Sequence, residues 1–266
     1  MTYTNLAIII LAAGKGTRMC SSIPKVMHEI AGLPLVNHVA NTAKQLSPQK
    51  TVVVVGPKED LISKAVHPLP VILQEERNGT AHAVNMVKNY LDGFVGTVLV
   101  LYGADPLIKP STLLKMLEKI KQGSSVVALG FHSDTDNQYG RLQQDKSGNL
   151  IKIVEYNEST EAHKSSSLCN GGAVAIDSGS IWGLLEKVNN NNKKGEYYLT
   201  DIVEIASKEG LKCSFVQASE NELVGVDTMM DLAFAEKQMQ KRLRSSLMAA
   251  GVKLIDPETV WLNYDT

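Results

Sequence analysis

The sequence is poor in the residues that build metal centres and disulfides. Its three cysteines, Cys20, Cys169 and Cys213, are far apart, and its six histidines include no HxxxH or HExxH pair. That excludes a zinc site of ordinary spacing and argues for free thiols in a reducing compartment; Cys20, close behind Arg18, is the thiol expected to be exposed. An excess of one charge is also missing. Lysine and arginine number 27 against 28 acidic residues, a net charge of -1, so a nucleic-acid polymer is not an expected partner. Long apolar runs are absent: the first, from Leu6 to Leu11, is about six residues, where a membrane helix needs roughly 20. The opening MTYTNLAIII has no charged leader and no cleavage pattern. The expectation is a cytoplasmic protein with no membrane partner.

What is present is an alternation. The 266 residues, 44% hydrophobic and 21% charged, suit one large α/β domain or two small ones. Short β-branched runs read as strands at Leu6–Leu11, Thr51–Val55, Val71–Leu73, Thr97–Tyr102, Ser125–Gly130, Leu150–Glu155 and Gly172–Ile176. The early runs are continuously apolar, as central strands covered on both faces are. Amphipathic stretches predict helices at Pro34–Gln45, Lys58–His67, Thr80–Tyr90 and Ser111–Gln122, the last with Ser111 as N-cap. The first 130 residues therefore read as a doubly wound βαβαβαβα sheet. Beyond them the texture becomes polar and hairpin-like, with QQDKSGN as a turn between strands, which predicts an α+β elaboration of the same sheet. Thr200 and Asp201 are placed to cap a helix. A long helix from Met229 to about Ala250 carries Met230, Phe234, Met239, Leu243 and Leu247 at helical spacing, a stripe expected to pack on the core, with Gly251 after it as C-cap.

The segment LAAGKGTRM, Leu11 to Met19, ends the first strand with two glycines, Lys15 and Arg18. A strand feeding a glycine-rich turn is a common phosphate cradle, and arginine can grip phosphate with two parallel hydrogen bonds. Yet the loop matches neither GxxxxGK[ST] nor the full dinucleotide fingerprint. Taken alone it is either a phosphate site or an ordinary βα turn.

The following residues narrow the choice. LAAGKGTRM, then SIPKVMHEIAGLPLVNHV, gives a series LAAGxGTRM…PK…GxPL…H that resembles the sugar-nucleotide pyrophosphorylases. LQEERNGTAHAV, LYGADPLI, YGR, IVEYNES, CNGGAVAID, GEYYLTDIV and LVGVDTMMDLAFAE resemble, in order, segments of the N-acetylglucosamine-1-phosphate uridyltransferases. The likeness spans essentially the whole chain and is closest to the N-terminal half of bifunctional bacterial enzymes whose second half is a left-handed β-helix acetyltransferase. It implies a Rossmann-like nucleotidyltransferase fold: a mixed, mostly parallel sheet flanked by helices, an α+β sugar-binding elaboration and a long C-terminal helix. It divides the chain into a nucleotidyltransferase domain, 1–228, and a helix with linker, 229–266, leading toward a β-helix that this sequence lacks. The acetyltransferase is then expected in a separate domain or chain. Because such enzymes trimerise mainly through the β-helix, this chain is expected to be monomeric.

The resemblance also implies roles. Leu11, Ala12, Ala13 and Gly14 hold the uridine end, with Gln74, Gly79 and Thr80 at the uracil edge, where an amide that both donates and accepts suits an imide. Arg18 and Lys25 are the catalytic cations, binding the triphosphate and offsetting charge on departing pyrophosphate. Tyr102, Gly103, Gly140, Glu155 and Asn170 hold N-acetylglucosamine, while Tyr197 and Tyr198 either flank the sugar or fill the core. The implied substrates are UTP and N-acetylglucosamine-1-phosphate, the product UDP-N-acetylglucosamine for peptidoglycan and other cell-envelope polymers, and the cofactor Mg²⁺. The sugar phosphate, already largely dianionic at neutral pH with a second pKa of about 6, needs no general base.

The metal segment departs from the pattern. The family usually reads Y-G-D-x-P-L, with the Asp on Mg²⁺; here Ala104 takes that place and Asp105 follows it. Asp227 stands where the family commonly has Asn. The expected metal ligands are therefore Asp227 and, second, Asp105. Two alternatives follow: a catalytically weakened nucleotide-sugar-binding protein, favoured by Ala104, or a pyrophosphorylase for another sugar-1-phosphate.

Overall fold

The computed structural model describes residues 5–57, 60–134 and 137–266. In chain order its strands are β1 (Leu6–Ala12), β2 (Glu29–Ile30), β3 (Leu33–Pro34), β4 (Lys50–Val55), β5 (Val71–Leu73), β6 (Thr97–Tyr102), β7 (Val126–His132), β8 (Arg141–Gln144), β9 (Leu150–Val154), β10 (Leu168–Asp177) and β11 (Cys213–Gln217). Its helices are α1 (Leu35–Gln45), α2 (Asp60–Val66), α3 (Thr80–Asn85), α4 (Pro110–Lys121), α5 (Glu161–Lys164), α6 (Ser178–Leu185), α7 (Asp201–Lys208) and α8 (Met229–Ala249). None is long and apolar enough to cross a membrane among the described residues.

The main sheet runs β11-β7-β10-β6-β1-β4-β5, with β8 and β9 joined at β10. β1 pairs in parallel on both sides, Ile9 opposite Val52 of β4 and Val100 of β6. Alternate β1 side chains enter two cores. Ala7, Ile9 and Leu11 meet α3, α6 and α7; Leu6, Ile8, Ile10 and Ala12 meet α1, α2 and α4. This two-sided burial is why the strand carries no polar residue. Among the described residues, β10 is the one strand of the β11-to-β5 run that is antiparallel to its neighbours, wedged between β6 and β7. The mixed, mostly parallel sheet and the α+β elaboration expected from sequence are both present.

Some boundaries differ, for physical reasons. The helix expected at 58–67 runs Asp60–Val66; Lys58 and Glu59 lie outside the described residues, as do Thr135 and Asp136 of the polar segment before Tyr139. α3 stops at Asn85 because Val87 and Lys88 bond three residues back, to Val84 and Asn85, yet Val87 and Leu91 still enter the core. Ser111 does not cap α4. Lys109 holds the N-cap place and Pro110 starts the helix, where its fixed φ is already helical.

The α8 stripe is only partly right. Met230 is 80% exposed and Phe234 42%. The buried face is instead Ala235, Met239, Gln240 and Arg244. Gln240 clasps the tail with both ends of its amide, Nε2 donating to the Leu262 carbonyl (2.7 Å) and Oε1 accepting the Leu262 N–H (2.8 Å). Arg244 donates to the Val260 carbonyl at 3.2 Å. Gly251 follows the helix with φ +95°, and the Gly251 and Val252 N–H groups close onto the Met248 and Leu247 carbonyls.

Candidate active site

β1, β4 and β6 run in parallel, so their carboxyl ends lie on one edge, and the chain leaves β1 in opposite directions to reach its two neighbours. Ligands bind outside such a switch point. A cleft of about 490 Å³ opens there, lined by Leu11 through Arg18, Lys25, Gln74, Arg77, Gly79, Thr80, Tyr102, Ala104, Lys194, Glu196 and Asp227 among others.

The glycine loop has two different reasons for its glycines. Gly14 lines the cleft, and a Cβ there would meet nothing within 4 Å. The space beside it is open cleft, not filled by protein. Gly16 has φ +62°, and a Cβ would sit 2.7 Å from Lys25 Cβ. Gly16 therefore lets the Lys25 segment come up against the loop. Arg18 and Lys25 converge on Asp227: Arg18 Nη2 is 3.0 Å from Oδ2, and Lys25 Nζ is 2.8 Å from Oδ1.

The opposite wall is fastened by backbone. Gly79 takes φ +109° and ψ 177°, and a Cβ would lie 2.7 Å from the Tyr197 nitrogen and overlap its carbonyl oxygen. The Tyr197 N–H donates to the Asn78 carbonyl, the Ala81 N–H to the Tyr197 carbonyl, and the Leu199 N–H to Thr80 Oγ1. So the polar loop before α7 docks on the start of α3. Gln74 is 3% exposed. Its Nε2 donates to the Gly79 carbonyl (3.1 Å) and faces His82 Nδ1 (3.0 Å), and no donor of the described residues reaches its Oε1. Its N–H groups are taken up by the protein, and the residue lies on the cleft wall.

Gly103, Asp105, Gly140, Glu155 and Asn170 are not among the cleft-lining residues. Gly103 donates its N–H to the Leu11 carbonyl at 2.9 Å, holding the β6 end against β1. The Asn170 N–H donates to the Gly140 carbonyl (2.8 Å), and Asn170 Oδ1 accepts from the Gly172 N–H (3.2 Å). Tyr102 links this group to the cleft, which it lines with Thr80: burial first, then the charges of Glu155 and Asp105, raise its hydroxyl pKa, and Thr80 opposes the shift. Tyr197 packs against the core and Tyr198 is buried, so neither ring stands free in the cleft.

Thr200 occupies the N-cap place of α7 but makes no side-chain cap. Its hydroxyl donates instead to Glu155 Oε1 at 2.8 Å. Burial raises the Glu155 pKa, and this hydrogen bond opposes the shift. Asp201 beside it is pushed up to about 6, by burial first and then by the charges of Glu155 and Glu204. The expected capping role is thus corrected: the segment is built around Glu155.

Asp105 is half-buried beside Gly172 and Gly225, where added Cβ atoms would lie 3.0 and 3.2 Å from its carboxylate oxygens. Burial pushes its pKa up to about 7, with Lys25 opposing and Asp227 adding to the shift. Ala104, not Asp105, faces the cleft. No group of three or more His, Cys, Asp or Glu side chains gathers as a metal site among the described residues. Asp227 on the cleft wall, with the Asp105 carboxylate near enough for its charge to be felt there, still suits a hard cation that takes its remaining ligands from phosphate and water. Sequence reasoning missed Arg77, Lys194 and Glu196 on the cleft wall. The only signal was their place inside EERNGT and KKGEYY, next to residues already singled out.

The model of the MobA-like NTP transferase domain matches residues 8–171. The bifunctional protein GlmU of Paramagnetospirillum magneticum is 48% identical over 268 residues, covering 100% of this chain and 60% of its own. That of Rhodospirillum rubrum is 46% identical, covering 99% and 59%. The chain thus spans about 60% of the length of the curated relatives it matches. Among solved structures, a UDP-glucose pyrophosphorylase complexed with UDP-glucose superposes with a TM-score of 0.72 at 17% identity, covering 89% of this chain and 98% of that one. A nucleoside-diphosphate-sugar pyrophosphorylase from Vibrio cholerae RC9 gives 0.67 at 17% identity, covering 85% and 98%. A glycine-lined cleft at the switch point of a mostly parallel sheet, with a family model over more than half the chain, leads to one conclusion: the chain belongs to the MobA-like NTP transferase family.

Proposed function

We propose that this chain transfers a uridylyl group from UTP to N-acetylglucosamine-1-phosphate, forming UDP-N-acetylglucosamine and pyrophosphate. The observation that carries the reading is the convergence of Arg18 and Lys25 beside an open glycine loop, in a cleft also lined by a glutamine whose N–H groups are already engaged by the protein. In this reading Gln74 Oε1 accepts the uracil N3–H, and Leu11–Gly14 pack on the nucleoside. Glu155 and Asn170 hold the sugar, with Gly140 and Tyr102 beside them. A sugar-phosphate oxygen attacks the α-phosphorus in line. A new P–O bond forms, the bond to the bridging oxygen of pyrophosphate breaks, and pyrophosphate leaves with the electron pair. Arg18 and Lys25 offset the charge that gathers on it. No proton needs to move, which fits a cleft whose wall, among the described residues, carries no Ser–His or Cys–His pair.

Nucleotidyltransferases of this family generally use a divalent metal. Mg²⁺ is the proposed ion, held by Asp227 with Asp105 behind it, and when bound it supplies charge neutralisation on the phosphates. The proposed setting is the cytoplasm, feeding cell-envelope polymers such as peptidoglycan. Residues 1–228 then form the catalytic domain, and α8 with the tail leads toward an acetyltransferase half like the one implied by the bifunctional relatives. Ala104 on the cleft wall favours one other reading, a nucleotide-sugar-binding protein without turnover. Pyrophosphate release from UTP and N-acetylglucosamine-1-phosphate decides between them. Turnover abolished by EDTA and restored by Mg²⁺ supports the transferase; UDP-N-acetylglucosamine binding with no turnover supports the alternative. The same assay with other sugar-1-phosphates and nucleotides tests the substrate choice.

A further inference from the structure

Asp227 bridges the two cations of the cleft, and it spends both oxygens doing so. Oδ2 faces Arg18 and Oδ1 faces Lys25. Among the described residues neither cation has another ion-pair partner. The backbone of Asp227 is fixed: its N–H donates to Asp231 Oδ2 at 3.1 Å, and Thr228 and Asp231 form a reciprocal capping box at the start of α8. Its side chain is 36% exposed, beside an Arg18 that is 59% exposed, so solvent and ligand can reach the bridge. The cleft thus carries its own anion on the groups that would grip a triphosphate.

We propose that Asp227 makes the cleft select nucleotide that arrives with a divalent cation over nucleotide that arrives without one. The inference rests on the uridyltransferase reading. A metal-free triphosphate must displace the carboxylate from Arg18 and Lys25. It then lies beside a released anion with nothing between them, and like charges at close range disfavour that complex. A triphosphate carrying a divalent cation meets the same displacement, but the released carboxylate becomes a ligand for the cation. Displacement is penalised in one case and used in the other. An asparagine at position 227 has the same shape without the charge. It would leave Arg18 and Lys25 open to metal-free nucleotide.

The test is calorimetric binding of UTP to the whole chain and to Asp227→Asn, each in EDTA and in Mg²⁺. Two partly exposed ion pairs are each worth a few-fold, so the variant is expected to bind metal-free UTP about tenfold tighter than the parent. The factor by which Mg²⁺ improves UTP binding should shrink by at least as much. Mn²⁺ alone, followed by its electron paramagnetic resonance signal, should bind the parent weakly, because both Asp227 oxygens are occupied. If the variant binds metal-free UTP no tighter while both proteins bind UTP with Mg²⁺, the selectivity role is wrong and the transferase reading stands. If neither protein binds UTP with Mg²⁺, the transferase reading falls and takes this inference with it. Equal melting temperatures show that the comparison is between two folded proteins.

Discussion

Replacing Gly79 with alanine and replacing Gly14 with alanine are the same chemical change, yet the structure assigns them opposite outcomes. At Gly79 the backbone has φ +109° and ψ 177°, a region open essentially to glycine alone and costing of order 1–3 kcal/mol for other residues. The added methyl would also overlap the Tyr197 carbonyl oxygen. That neighbour is backbone and can yield only by separating from the start of α3, which breaks the Tyr197-to-Asn78 and Ala81-to-Tyr197 hydrogen bonds. Each such bond is worth roughly 0.5–1.5 kcal/mol. The sum is about 4 kcal/mol, which for a chain of this size lowers the melting temperature by about 10 °C or more. At Gly14 there is no neighbour within 4 Å and no positive φ. Gly14→Ala should therefore leave the melting temperature within a degree or two, a change of about 0.5 kcal/mol at most. It should nonetheless weaken UTP binding severely, because the methyl enters the space the nucleotide needs. Melting curves and UTP calorimetry on both variants give the answer. Equal destabilisation by the two, or undiminished UTP affinity in Gly14→Ala, would refute the account of the loop.

The remaining predictions concern neighbouring groups. Thr200→Val removes the donor to Glu155 and should raise KM for the sugar phosphate several-fold with KM for UTP unchanged, while Thr200→Ser restores it; a uniform fall in kcat would instead indicate general structural damage. Asp201 has a folded pKa of about 6, above its usual value of 3.8. The folded chain therefore holds that proton more tightly than the unfolded one, and the stability this provides is present at pH 3–4 and lost as pH rises through about 6. Urea midpoints of the parent minus those of Asp201→Asn should fall across that window and level off above it; a flat difference contradicts the assignment. Gln240→Ala cuts both hydrogen bonds to Leu262 and should speed amide exchange at Leu262 and Tyr264 with no change at β1, as hydrogen-exchange mass spectrometry would show.

The parts legible in the sequence were those where one local pattern has one physical cause. Leu6–Ala12 is buried on both faces and reads as an unbroken apolar run; Val71–Leu73 and Thr97–Tyr102 have the bounds expected. Arg18, Lys25 and the loop glycines were visible because a short motif brings them together. Contacts made across the chain were not. The buried face of α8 includes Gln240 and Arg244, which hydropathy places outside, because their partners are carbonyls of a tail some 20 residues on. Thr200 looked like a cap because its position is a cap position; only the fold puts Glu155 within its reach. The Asp227 bridge spans 202 residues from Lys25, and a list of charges does not say which of them meet.

The place of β10 in the sheet has a consequence for how the chain comes off the ribosome. β6 and β7 run parallel, are joined by the single helix α4, and are complete once residue 132 has emerged. In the finished molecule they do not touch as sheet neighbours, because residues 168–177 lie between them. A right-handed β6–α4–β7 crossover is the pairing that local topology favours, so for another 45 or so residues of synthesis, at roughly 5–20 residues per second, the nascent chain has access to a pairing that the finished sheet does not contain. During that interval the edge of TVLVLY that β10 will cover lacks its final partner, and an apolar edge of that kind invites a neighbouring chain. Conditions that slow synthesis between β7 and β10 should therefore lower the yield of folded protein without changing the stability of the molecules that succeed.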